Sequence, residues 1–269
     1  ENEVNKGYDW NIRDFITYAD GEYIIYMGDD DGFVPHALDK LLTFLKQHRE
    51  LGYVLRCSRS KSTGEHMRYF PETRFFAPGA NSYQLLYRKS VFISGFTFKR
   101  ELAREFMTDR FDGTLLYQLY IMAEICMQHP SAYFNEPITE SFPGQKEFYF
   151  GASEKEKAHY EPNKISVRGS TIFIAGFLKI TRYMDEKYGL TSTRYVQRDM
   201  SKYSYPILAY LLRLNRLEML KFAKELYKIG LGGTPFFYLY LAGLFVFGES
   251  FCDKVILLLK KNLGYTPQL

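Results

Sequence analysis

Short apolar runs alternate with amphipathic stretches along the first half of the chain. The runs Tyr23–Met27, Tyr53–Cys57 and Val91–Phe98 have the length and composition of buried β-strands. Pro35 follows the first run and is typical of the first turn of a helix. One face of this predicted helix carries apolar residues at i, i+3, i+4 and i+7 spacing, namely Leu38, Leu41, Leu42 and Leu45.

The same alternation continues to about residue 150. Lys99–Met107 predicts a short helix, Thr114–Gln128 a longer and mostly buried helix, and Ser131–Asn135 a strand that returns to the sheet. The polar residues 58–64 predict a hairpin or loop. Strands that alternate with helices indicate an α/β domain with a largely parallel or mixed sheet.

The pattern changes near residue 155, after which nearly every segment has helical periodicity. The predicted helices are 164–188, 192–200, 204–229, 235–248 and 250–262. We therefore predict two parts: an α/β domain over residues 1–155 and an all-α region over residues 156–269.

Composition and charge narrow the function classes. The chain has 269 residues, of which 46% are hydrophobic and 25% charged, an ordinary globular balance. Its net charge of +4 is too small to indicate nucleic-acid binding. The three cysteines are scattered and match no metal-binding or disulfide pattern, which favours the reducing cytoplasm.

The C-terminal part carries an apolar run and a basic face. The run, residues 235–248, is shorter than the ~20 residues that cross a bilayer. On one continuous helix over 205–228, five basic residues would fall within an arc of about 140°; they are Arg213, Arg216, Lys221, Lys224 and Lys228. Two interpretations stay open: peripheral contact with the inner face of the cytoplasmic membrane, or a helix packed on the domain with its basic face in water.

Three consecutive acids, Asp29, Asp30 and Asp31, directly follow the first apolar strand. Like charges this close are costly unless water or a cation compensates them. Ligands of open α/β sheets bind at the carboxyl ends of strands, and paired carboxylates hold Mg²⁺ or Mn²⁺ beside a diphosphate. The alternative is a solvated acidic turn before the Pro35 helix, since anions favour a helix N-terminus.

The residues around these acids resemble a known family. The stretch Asn5–Asp31, NKGYDWNIRDFITYADGEYIIYMGDDD, resembles the middle of a family 2 glycosyltransferase of the GT-A fold. The matching residues are Asn5, Gly7, Asn11, Ala19, Gly21, Glu22, Tyr23, Ile24 and Asp29–Asp31. The similarity continues to SVFISGFTFKREL (Ser90–Leu102) and fades after about residue 140.

The resemblance implies a DxD motif that binds the sugar donor. By it, Asp31 and Asp29 are metal ligands for Mn²⁺ or Mg²⁺, and Asp29 and Asp30 contact the nucleotide-sugar. The implied fold is the GT-A mixed sheet, here with an all-α C-terminal extension. The implied partners are a nucleotide-sugar donor and a glycan or lipid-linked acceptor.

The family inverts the anomeric centre, so a base must deprotonate the acceptor hydroxyl. In RFDGTLLYQLY, Asp112 corresponds to the second residue of the family's Glu-Asp pair, while Phe111 stands in place of the glutamate. Asp112 could equally cap the helix that follows, because Asp is a preferred N-cap. Asp109 and Glu124 are weaker candidates. We expect the acceptor between Val91–Phe98, Asp112 and the loop near Phe75.

Two family motifs are missing from the sequence. A Q-x-x-R-W motif, typical of processive members, is missing, so transfer of a single sugar is expected. The family's first strands, which build much of the nucleotide pocket, are also missing, so the chain is expected to be N-terminally truncated. The predicted function is metal-dependent sugar transfer, in the synthesis of a bacterial surface polysaccharide. The alternative is a non-catalytic GT-A-like protein that acts as a partner- or membrane-binding module.

Overall fold

The predicted alternation of strands and helices is present in a computed structural model that describes residues 3–61, 64, 66–141, 151, 153–161 and 164–263. The chain divides into two compact units. The first comprises Glu1–Tyr149 and Ser153–Lys155, and the second comprises Phe150–Ala152 and Glu156–Leu269.

The first unit combines strands and helices. Its elements begin with α1 (Tyr8–Tyr18), β1 (Tyr23–Tyr26), β2 (Asp31–Phe33), α2 (Ala37–Gln47), β3 (Tyr53–Ser60), β4 (His66–Met67) and β5 (Arg74–Phe76). They continue with α3 (Ala80–Tyr87), a 3-10 turn (Arg88–Ser90), β6 (Phe96–Lys99), α4 (Arg100–Glu105), α5 (Tyr117–Gln128) and β7 (Ser131–Ser141).

The described strands form one mixed sheet with the order β1-β6-β3-β7-β2. Strands β3 and β7 pair in parallel, whereas β6 runs antiparallel to both β1 and β3, and β2 runs antiparallel to β7. Strand β4 pairs with β3, and β5 with β7. The predicted class, an α/β fold with a mixed sheet and an all-α extension, is confirmed.

Helix α2 covers one face of this sheet, and its buried side includes only Leu41 and Leu45 of the predicted apolar face. Its buried residues are Ala37, Leu41, Phe44 and Leu45, which pack in one core with Val54, Phe134 and Ile138. Leu38 and Leu42, predicted to be buried, are 37% and 48% exposed. The spacing of apolar residues did not show which side of α2 is buried, because Leu42 and Phe44 are both apolar and lie on opposite sides of the helix.

The predicted strand Val91–Phe98 is shorter in the structure, where β6 begins at Phe96. Gly95 ends the irregular segment before it with φ +80°, a conformation that favours glycine. A Cβ on Gly95 would lie 2.9 Å from Arg56 Cγ, so a side chain would also collide with β3. The Gly95 N–H donates to the Tyr26 carbonyl at 2.7 Å, which fixes residues 91–95 beside the end of β1.

The second unit is helical, as predicted. Its elements are α7 (Val167–Tyr188), α8 (Ser192–Lys202), α9 (Tyr205–Leu212), α10 (Arg216–Lys228), α11 (Pro235–Phe247) and α12 (Glu249–Leu263); the short α6 (Glu154–Lys157) precedes them. None of the described helices has both the length and the hydropathy needed to cross a membrane.

The single helix predicted over 204–229 is wrong, because two helices meet there. Asn215 caps α10, accepting a hydrogen bond from the Glu218 N–H through its side-chain oxygen at 2.9 Å. Arg213 follows the end of α9, and Arg216 begins α10. The five basic residues therefore do not share the predicted 140° arc of one continuous helix.

Candidate functional site

Two of the three consecutive acids converge over a glycine at the carboxyl end of β1. A Cβ on Gly28 would lie 2.8 Å from Asp30 Oδ1 and 3.6 Å from Asp31 Oδ2, so both carboxylates reach toward one point. The chain turns tightly here, since the Asp31 N–H faces the Gly28 carbonyl at 3.4 Å. The structure thus brings together Asp30 and Asp31 where the sequence placed the DxD motif.

Ser94 holds Asp31 in place. The Ser94 hydroxyl donates to Asp31 Oδ2 at 2.6 Å and accepts from the Gly28 N–H at 2.9 Å. Burial raises the pKa of Asp31, and the charges of Asp30 and Asp29 raise it further, against the opposing effect of the Ser94 hydrogen bond. The acids therefore repel one another at a position where a cation would relieve the repulsion.

Arg56 holds the segment that carries Ser94. It is 2% exposed, and its Nε donates to the Ser94 carbonyl at 2.7 Å while Nη2 donates to the Phe92 carbonyl at 3.2 Å. Its positive charge also lowers the pKa of Asp31. Sequence reasoning missed Arg56 and Ser94, although one arginine in the otherwise apolar run YVLRC was a usable signal.

The acids fit a divalent cation that is shared with a substrate. Mg²⁺ and Mn²⁺ sites of this kind use one or two carboxylates and complete their shell with water and phosphate oxygens. Asp30 and Asp31 supply the converging oxygens, and Asp29 is exposed beside them. Within the described residues, three or more His, Cys, Asp or Glu side chains nowhere form a ready-made metal cluster. The metal roles of Asp31 and Asp29 stay predictions.

Replacing Gly28 by alanine tests this arrangement without removing a carboxylate. The added methyl would lie 2.8 Å from Asp30 Oδ1 and 3.1 Å from Ser94 Oγ, so one of them must move. We expect Mn²⁺-dependent UDP or GDP binding to weaken by about tenfold or more, measured by calorimetry. Gly243→Ala is the control, because its methyl would meet Cys252 Sγ at an ordinary 3.6 Å. Unchanged binding in Gly28→Ala would contradict the convergence.

A second acidic position lies before α5. Asp112 is nearly buried, and its carboxylate is paired with Arg13, whose Nη2 donates to Oδ2 at 3.2 Å, and with Lys155 Nζ at 3.0 Å. Asp112 does not cap α5, since Leu116 occupies the N-cap position. Phe111, which stands in place of the family glutamate, is fully buried and packs on Tyr120 with ring centroids 4.5 Å apart.

Asp9 of α1 supports this loop from inside the protein. It is 2% exposed and accepts the Leu115 and Tyr117 N–H groups at 2.8 and 2.9 Å, so it satisfies the first amide of α5. Leu115 has φ +60°, a strained conformation for a leucine, which these bonds help to hold. Asp9 was missed from sequence, because its partners are more than 100 residues away.

Burial raises the pKa of Asp9 from 3.8 to about 6. Three backbone hydrogen bonds lower this pKa, whereas the negative charge of Asp112 raises it further. The folded protein thus holds this proton more strongly than the unfolded chain. The stabilisation that this proton gives is complete below pH ~4 and is lost as the pH rises through about 6.

Asp9 should therefore make folding stability pH-dependent. We expect its contribution to the free energy of unfolding to be about 1 kcal/mol smaller at pH 7.5 than at pH 5. Asp9→Asn should lack this difference in urea denaturation, while Asp20→Asn, an exposed control, should keep it. Equal pH dependence in Asp9→Asn and the wild type would show that Asp9 is not responsible.

Helix α1 connects the two acidic positions through hydrogen bonds. The Tyr26 hydroxyl, at the end of β1, donates to the Ile12 carbonyl at 2.5 Å. The next residue of the same helix, Arg13, donates to the Thr108 carbonyl at 3.2 Å and pairs with Asp112. The same helix thus contacts both the strand that ends at the DxD acids and the loop that carries Asp112.

Other predicted positions are not part of this arrangement. Phe75 pairs with Ala132 near the start of β7, whereas Asp31 pairs with Ser141 at its end, roughly 25–30 Å along the strand. The structure therefore does not bring Phe75 to the acids that follow β1, and the acceptor position stays a prediction. Glu124 is fully buried within α5, while Asp109 is exposed.

Comparison with known proteins shows which family the first part of the chain resembles. Residues 1–106 match the family model described as glycosyl transferase family 2. Among curated proteins, none is similar enough to count as a match. Among the solved structures that match is the crystal structure of S. aureus TarS 1-349, with a TM-score of 0.40 and 11% identity over 90% of this chain and 72% of that chain.

The resemblance that the sequence showed is confirmed by the family match. The matched segment contains Asp29–Asp31, Ser94 and Arg56, that is, the whole of the first acidic position and its support. Residues 1–106 are thus similar to glycosyl transferase family 2, and this similarity supports glycosyl transfer as the activity.

Proposed function

We propose that the protein transfers a single sugar from a nucleotide-sugar to a glycan or lipid-linked acceptor, in the synthesis of a bacterial surface polysaccharide. The observation that carries the proposal is the convergence of Asp30 and Asp31 over Gly28, at a strand end inside the segment that matches the family. Carboxyl ends of strands are where α/β sheets bind ligands.

The donor would bind through its diphosphate. Asp31, held by Ser94, would hold Mn²⁺ or Mg²⁺ with a second acid: Asp29, as the resemblance implies, or Asp30, whose oxygen converges with that of Asp31. Asp29 and Asp30 would also contact the nucleotide-sugar. A bound cation would neutralise the charge that develops on the departing diphosphate. The protein's own residues set the geometry: Arg56 fixes the loop through the Ser94 carbonyl, and Ser94 fixes the Asp31 oxygen that faces Gly28.

Inversion requires a base on the acceptor side of the sugar. Asp112 would take the proton from the acceptor hydroxyl as that oxygen attacks the anomeric carbon. Arg13 and Lys155 hold its carboxylate in one orientation, and Asp9 holds the loop behind it. A hydroxyl that binds here would displace Lys155, whose side chain is 63% exposed, more easily than Arg13, at 14%.

Calorimetric titration of the full-length protein with UDP and GDP tests the donor site. Binding of one nucleotide in the presence of Mn²⁺, and much weaker binding with EDTA, is expected. That result would justify a screen of sugar donors with radiolabelled transfer to glycan and lipid-linked acceptors. Failure of both nucleotides to bind with or without metal would favour the alternative function, a non-catalytic binding module.

A further inference from the structure

Helix α11 is apolar on the side that faces solvent. Its 13 residues, PFFYLYLAGLFVF, include no charged residue, and only Phe237 and Leu244 are buried. The exposed positions cover an arc of about 200°; those with large apolar or aromatic side chains are Phe236, Tyr238, Leu239, Phe245, Val246 and Phe247. A helix that is hydrophobic all round is normally buried in a protein or a membrane.

Helix α12 extends this surface. The rings of Phe247 and Phe251 lie 5.0 Å apart, so the exposed side of α11 continues onto α12 without interruption. Phe251, Val255 and Leu258 follow at i, i+4 and i+7 and are 51%, 39% and 61% exposed. We call Phe236, Leu239, Val246, Phe247, Phe251, Val255 and Leu258 the α11–α12 apolar face. Patches of this extent mark interaction sites.

Three basic residues lie near the α11–α12 apolar face. The Arg216 guanidinium lies 6.0 Å from the Phe245 ring, and Arg213 pairs with Glu249 at the start of α12 at 3.5 Å. Lys254 is exposed between Phe251 and Val255. Residues 205–263 contain eight Lys and Arg against four Asp and Glu. This segment therefore carries a positive excess equal to the charge of the whole chain.

We propose that the α11–α12 apolar face binds the surface of an anionic lipid bilayer, with both helices lying in the plane of the interface. Apolar and aromatic side chains would enter the acyl boundary, while Arg213, Arg216 and Lys254 meet the headgroups. The positive excess of residues 205–263 favours an anionic bilayer over a second copy of the chain, because a second copy carries the same excess. The proposal does not depend on the proposed transfer of sugar.

Co-sedimentation with vesicles tests the lipid surface. The full-length protein should sediment with vesicles that contain phosphatidylglycerol and much less with pure phosphatidylcholine. Raising the salt from about 0.1 to 0.5 M should weaken binding severalfold, since the headgroup contribution is screened. Leu239→Glu and Phe247→Glu should each weaken partitioning by about tenfold or more, because both side chains are mostly exposed and neither supports the core.

Leu42→Glu is the matched control, an exposed leucine of α2 in the first unit, and should bind vesicles like the wild type. Lys254→Glu should weaken binding to anionic vesicles while leaving the weak binding to neutral ones unchanged. Light scattering after gel filtration tests the rival partner. A dimer that Leu239→Glu dissociates would overturn the proposal in favour of self-association, and so would a monomer that ignores every vesicle.

Discussion

Asp31→Ala should abolish Mn²⁺-dependent nucleotide binding and, with it, sugar transfer. Asp31 is the acid that the structure orients most firmly, through Ser94, and its oxygen converges with that of Asp30. Mutation of a residue that only orients a metal ligand lowers metal affinity or activity by about 10–100-fold. Loss of the ligand itself should therefore exceed about 100-fold, measured by calorimetric titration of UDP or GDP with Mn²⁺.

Two further variants make this result specific. Ser94→Ala keeps the carboxylate but removes its hydrogen-bond donor, so a loss of about tenfold is expected. Asp20→Ala removes an exposed acid that precedes β1 and should bind as the wild type does. If Asp31→Ala binds the nucleotide with wild-type affinity and the same metal dependence, then the three acids are a solvated turn, and the donor must bind elsewhere.

The sequence was sufficient to place Asp29–Asp31 at the end of a strand, because the pattern that marks this position is local. An apolar strand followed by Asp29–Asp31 places the acids at a strand end, whatever the rest of the fold does. Arg56 and Ser94 could not be assigned to the same position, since Arg56 lies on β3 and Ser94 on the segment before β6. Only the pairing of the strands brings their side chains to the acids.

The same limit explains why Asp9 was overlooked. Its role depends on two amides of the α5 loop, which are distant in sequence, and nothing in the local pattern of α1 marks a buried acid. Helix ends were misplaced for a different reason. The periodicity of 204–229 is continuous in the sequence, and only the capping geometry of Asn215 reveals that α9 and α10 are separate.

Asp112→Asn should eliminate most of the transfer activity and leave donor binding intact. Asparagine keeps an oxygen that Arg13 can bind but cannot take up a proton, so only the step that needs a base is lost. A general base contributes about 10²–10⁴-fold to a rate, and kcat should fall within that range with little change in the KM for the donor.

The comparison with Asp109→Asn decides whether this loss is chemical or structural. Asp109 lies exposed three residues before Asp112, so its amide variant should keep both fold and activity. Asp112→Asn leaves Arg13 with a weaker partner, and a fall in thermal stability alone would lower the amount of active enzyme without changing its rate per folded molecule. Mn²⁺-dependent nucleotide binding counts the folded molecules. A variant that binds donor fully and still transfers sugar at the wild-type rate would remove Asp112 from the mechanism. If Asp109→Asn also kept the wild-type rate, the base would have to be sought outside this loop.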